Sequence, residues 1–94
     1  MSLVYELEGG AVKALKGFFT KNYGLASFDE NDMFICEIHI NSCNEWVVLY
    51  FCNHEYVIRT HTDLTTAIMD FMYYNVLSER VVPTESDGSV VHPL

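Results

Sequence analysis

Three observations predict an α+β fold for this chain. Two stretches repeat their apolar residues at helical spacing, three others alternate at period two or are apolar throughout, and the helical stretches flank the strands in the order α-β-β-β-α. The expected architecture is a three-stranded antiparallel meander with helices packed on it. It forms one domain over residues 1–82, and residues 83–94 follow as a tail or a small hairpin. The 94 residues hold one core, because a chain of this length buries roughly two thirds of the surface it exposes when unfolded and has no material for another.

Each element has its own signal. Residues 3–8 alternate, which fits either a short edge strand or the start of the next helix, and Gly9-Gly10 is where the two readings part. Ala11, Val12, Ala14, Leu15, Phe18 and Phe19 then recur at helical spacing with Lys13 and Lys16 on the other side, and Asn22-Tyr23-Gly24 supplies a stop. Gly17 weakens that helix by up to about 1 kcal/mol relative to Ala. After a polar connector over residues 27–32, residues 33–40 alternate, with Phe34, Cys36, Ile38 and Ile40 expected on one strand face. Asn41-Ser42-Cys43-Asn44 reads as a turn. Trp46–Cys52 is apolar on both faces, so it is expected to be covered on both, by the second helix, the tail or another copy of the chain. Asn53-His54 is a two-residue turn without the usual Gly, leading into a third strand over residues 55–61. Thr62-Asp63 offers N-cap chemistry for a second helix, in which Leu64, Ala67, Ile68, Phe71, Met72, Val76 and Leu77 repeat at three and four. Beyond it, the pairs Val81-Val82 and Val90-Val91 flank Pro83 and an Asp87-Gly88 turn.

Charge narrows the function more than any motif does. Thirteen acidic residues against five basic ones give a net charge of -8, which repels nucleic-acid phosphates and anionic membranes. The start lacks the basic and apolar regions of a secretory leader and no apolar run could span a bilayer, so the expected location is the cytoplasm. Cys36, Cys43 and Cys52 are odd in number and fit reduced thiols there. Cys36-x-x-His39 and Cys52-x-His54 bring soft ligands close in sequence, but Cys36 and His39 fall on opposite faces of a strand and no Cys-x-x-Cys knuckle is present. Asp29, Glu30 and Asp32 lie in a polar connector where solvation leaves carboxylates ordinary, and the run lacks the Gly of a calcium loop. Gly9-Gly10 lacks the Lys of a phosphate loop. No catalytic residue, metal or cofactor is expected.

The order α-β-β-β-α is shared with double-stranded RNA-binding domains. Those grip phosphate with lysines at the start of the last helix, where this chain has Asp63-Leu64-Thr65-Thr66. Direct nucleic-acid binding is therefore not expected. The second helix carries Met69, Tyr73 and Tyr74 beyond the stripe one core can take, and tyrosines are common interface anchors. The predicted partner-binding residues are thus Asp29, Glu30 and Asp32 for steering and Met69, Tyr73 and Tyr74 for anchoring. With the acidic connector, the stretch Glu55-Tyr56-Val57-Ile58 leading to a capped helix, and this element order, the chain resembles small acidic phage-encoded inhibitors of host defence, anti-CRISPR proteins among them. It has fewer clustered acids than a DNA mimic of that type. The resemblance implies a non-catalytic inhibitor occupying the basic, nucleic-acid-binding site of a larger protein. The alternatives are a structural or regulatory homodimer and an immunity or antitoxin protein.

Overall fold

The structure, a computed structural model, describes residues 10, 12–75 and 78–84. The expectations for residues 3–8, for the end of the second helix at Val76 and Leu77, and for a hairpin through Val90-Val91 lie outside the described residues. The element order is α1 (Val12–Phe18), β1 (Gly24–Phe28), β2 (Phe34–Ile40), β3 (Trp46–Cys52), β4 (Glu55–His61), α2 (Leu64–Tyr73) and β5 (Arg80–Thr84). The strands form one antiparallel sheet in the order β4-β3-β2-β1-β5. The fold is α+β, and the expected meander is present as β2-β3-β4.

Two strands extend that meander. β1 occupies a stretch expected to be helix stop and polar connector, and β5 begins before residue 83 and runs through Pro83 and Thr84. The reason β1 escapes detection is its composition. It lies between β2 and β5 with Gly24, Leu25, Ala26 and Ser27 all buried, and small residues fit there where β-branched ones would not. A Cβ on Gly24 would sit 2.5 Å from the Ile38 carbonyl oxygen and 2.8 Å from His39 Cβ, and closer still to Thr84 Oγ1. Gly24→Ala should therefore push β1 off both neighbours and cost about 1–3 kcal/mol in urea unfolding, whereas the same change at Gly17, where nothing stands in the way, should not destabilise.

The turns follow local side-chain chemistry. Asn41 Oδ1 accepts from the backbone N–H groups of Cys43 and Glu45, both at 2.9 Å, and Asn44 takes a positive φ of 60°. Asn53 and His54 both have positive φ, 52° and 66°, as a two-residue hairpin turn of the right twist requires even without Gly. Asp63 caps α2 by accepting from Thr66 N at 2.9 Å and from Thr66 Oγ1 at 2.8 Å, and these bonds hold its carboxyl below the usual range.

Both helices lie against the same face of the sheet. Cys36, Ile38, Trp46, Val48 and Tyr50 from β2 and β3 meet Ala67, Ile68 and Phe71 of α2, while α1 adds Val12, Leu15 and Phe18 and continues into buried Phe19. The Phe19 and Trp46 rings meet at 5.0 Å, joining the end of α1 to the start of β3. One expectation fails on the other face. A register shift between Ser27 and Phe28 pairs Phe28 with Phe34, so Phe34 leaves the face of Cys36 and Ile38 and Ile35 packs towards the core instead. Among the described residues nothing covers the outer face of β3: Trp46, Val48 and Tyr50 are buried towards the helices, while Val47 and Leu49 are half-buried and Phe51 is 49% exposed, and the tail expected as one possible cover lies outside the described residues.

Candidate binding face

The side of the sheet away from the helices, open among the described residues, is the candidate site, and strand register builds it. Ile58, Leu49, Glu37, Ala26 and Val82 are successive partners across all five strands and form one row on this side. Beside it, Phe51 pairs with Tyr56 and Phe28 with Phe34. The rings touch in sequence, Phe28 to Phe34 at 6.2 Å, Phe34 to Tyr56 at 6.2 Å and Tyr56 to Phe51 at 5.0 Å. Between row and rings runs a shallow groove of about 590 Å³ lined by Ala26, Phe28, Phe34, Glu37, Leu49, Tyr56 and Ile58. The row is buried at its Val82 and Ala26 end and open at β4, where Tyr56 and Ile58 are 65% and 66% exposed. Contiguous exposed apolar surface of this kind marks an interaction site more than a solvated sheet.

Acidic groups lie at one edge of the groove and within it. The connector of Asp29, Glu30 and Asp32 joins Phe28 to the strand beginning at Phe34, and Glu37 lines the groove with its side chain 8% exposed. Glu37 Oε2 lies 2.6 Å from His39 Nδ1, two residues along the same strand. The three connector acids have different tasks. Asp29 Oδ1 accepts from the N–H groups of Asn31 at 2.8 Å and Met33 at 3.0 Å and so shapes the loop. Asp32, at a positive φ of 64°, pairs with Arg80 Nη2 at 2.7 Å, and the Arg80 guanidinium lies 4.7 Å from the centre of the Phe28 ring. Glu30 is exposed.

The predicted anchors sit elsewhere. Met69 and Tyr73 are exposed on α2, which packs on the opposite side of the sheet. Tyr74 stacks on Tyr50, ring centres 3.7 Å apart and 12° from parallel, and its hydroxyl is pushed up to about 12 first by its hydrogen bond with Tyr50 and then by burial. The structure thus separates the acidic connector from the α2 residues, and places the connector between Phe28 and Phe34, rings that sequence reasoning did not assign to a site. Period-two reading of Leu49, Phe51, Tyr56 and Ile58, together with Glu37 as the one charged residue of β2, is the signal that would have found them.

On the helix side, His61 Nε2 lies 2.8 Å from Asp70 Oδ2 and Arg59 Nη1 lies 3.9 Å from Asp70 Oδ1, which ties β4 to α2. The adjoining threonine hydroxyl of Thr66 is donated to Asp63, so this His–Asp pair joins secondary-structure elements and has no activated nucleophile at Thr66. Burial pushes the Cys36 thiol up to about 12, which keeps it protonated at neutral pH. Cys43 and Cys52 are exposed, so a thiol reagent should label two of the three cysteines in the native protein and Cys36 only on unfolding. Rapid labelling of all three would contradict this packing. Among the described residues, no three or more His, Cys, Asp and Glu side chains are grouped to hold a metal, and no helix is long and apolar enough to cross a membrane.

Among the described residues, the geometry is that of an α+β protein with helices on one sheet face and an apolar groove with acids at one edge on the other. The chain matches no protein-family model, no curated protein and no solved structure, so its function is argued from this face.

Proposed function

We propose that this protein is a non-catalytic binding module whose open sheet face docks on a basic, apolar-studded surface of a larger protein. The observation that carries this reading is the apolar groove with acidic groups at its edge and floor. Apolar area holds such a complex, while a net charge of -8 speeds encounter with a positive site and discourages wrong partners. A nucleic-acid-binding site on a host-defence enzyme is the partner class that this chemistry and the resemblance to anti-CRISPR proteins favour. Such a site presents arginines and lysines among stacking surfaces. Self-association through the same face is disfavoured, because a twofold axis near its centre brings the Glu37 carboxylate and the Asp29–Asp32 connector of each copy towards those of the other.

The test is binding kinetics against a purified nucleic-acid-handling enzyme obtained by affinity capture. The on-rate should fall as salt rises over the range where the Debye length shrinks from about 30 to 8 Å. The change Glu30→Lys should lower it too. This variant is cleaner than reversing Asp29 or Asp32, which are engaged in loop and Arg80 hydrogen bonds. Excess nucleic acid should compete with the complex. Association indifferent to salt, charge reversal and competing nucleic acid would overturn the reading, as would a stable homodimer that closes the face.

A further inference from the structure

We propose that Glu37 is the selective element of this face, and that its carboxylate receives an arginine side chain of the docked partner within the groove of Phe28, Phe34 and Tyr56. This rests on the open face being the docking surface and deepens that reading. Register places Glu37 directly between Ala26 and Leu49 in a row that is otherwise apolar from Ile58 to Val82. A carboxylate in such a row is a local conflict between residue type and surroundings, of the kind proteins retain at functional positions. Its side chain is 8% exposed, so docking removes most of its remaining water. A buried charge is tolerated only when paired, and His39 Nδ1 reaches only one of the two oxygens, Oε2. A neutral or acidic occupant would leave the carboxylate poorly compensated, whereas a cation meets it.

The rings favour arginine over lysine. A guanidinium is planar, binds a carboxylate through a fork of N–H donors and stacks on aromatic faces, while an ammonium is a compact and strongly hydrated charge. The protein already shows the contact within itself, since Arg80 lies over the Phe28 ring at 4.7 Å. The groove of about 590 Å³ has room for one such side chain beside a neighbouring aliphatic residue.

The experiment titrates the full chain with three acetylated and amidated tripeptides, Leu-Arg-Leu, Leu-Lys-Leu and Leu-norleucine-Leu, and follows NMR shifts of Phe28, Leu49, Tyr56 and Ile58. The arginine peptide should bind at least about tenfold more tightly than the norleucine peptide and more tightly than the lysine peptide. Glu37→Gln, isosteric and checked for an unchanged melting temperature, should erase the preference for arginine. Should that variant unfold, the comparison of arginine with norleucine on the unaltered protein still decides the matter. If the norleucine peptide binds the face as well as the arginine peptide does, the Glu37 assignment falls while the docking face stands. If no peptide shifts the face, both fall. Equal binding of lysine and arginine overturns the choice of arginine.

Discussion

Phe71→Ala should lower the stability of this protein by about 3–5 kcal/mol, the largest loss expected from any single truncation. Phe71 is 1% exposed and the largest of the fully buried side chains. It belongs to the cluster in which α2 meets Ile38 of β2 and Val48 of β3, so removing its ring leaves a cavity that neither a helix nor a hydrogen-bonded sheet can collapse to fill. A domain of this size has a total stability of roughly 5–15 kcal/mol, and the variant should unfold at a much lower urea concentration with an unchanged slope. A loss below about 1 kcal/mol would mean that α2 does not lie on the sheet as described.

Phe34→Asp and Ile58→Asp should each weaken partner binding strongly and leave most of the stability in place. Both side chains are on the face away from the helices, Ile58 66% exposed and Phe34 at the rim of the groove. Their truncation makes no core cavity, and a new carboxylate on an already acidic face repels a basic partner besides removing apolar area. Central interface anchors are worth about 2 kcal/mol or more, so affinity should fall at least about 30-fold, mainly through the off-rate. Tyr73→Ala, on the helix side, should change affinity little by comparison. The reverse pattern would return the binding site to the Met69, Tyr73 and Tyr74 surface.

Much of this architecture is legible in the residues, and the exceptions have physical causes. β2, β3, β4 and α2 announce themselves because alternation, an apolar run and an N-cap Asp63 agree with the tertiary environment each element meets. β1 does not, since crowding at Gly24 and burial at Ala26 and Ser27 select small residues that read locally as loop. Phe34 changes face through a bulge, which alternation cannot register. The apolar outer side of β3 predicts a cover, but an apolar strand face is equally compatible with an open surface among the described residues. Composition records how apolar a face is and carries no information on what lies against it. The acidic connector is legible as a charged segment, but its position between the paired Phe28 and Phe34 is a product of the β1–β2 pairing.

Mapping the whole chain by NMR during titration with a peptide of alternating arginine and leucine tests the docking face most directly. Shifts should concentrate on Phe28, Phe34, Leu49, Phe51, Tyr56 and Ile58, weaken as salt is raised, and be absent with the matching glutamate and leucine peptide. Shifts centred on Met69 and Tyr73, or equal shifts with the acidic peptide, would contradict it.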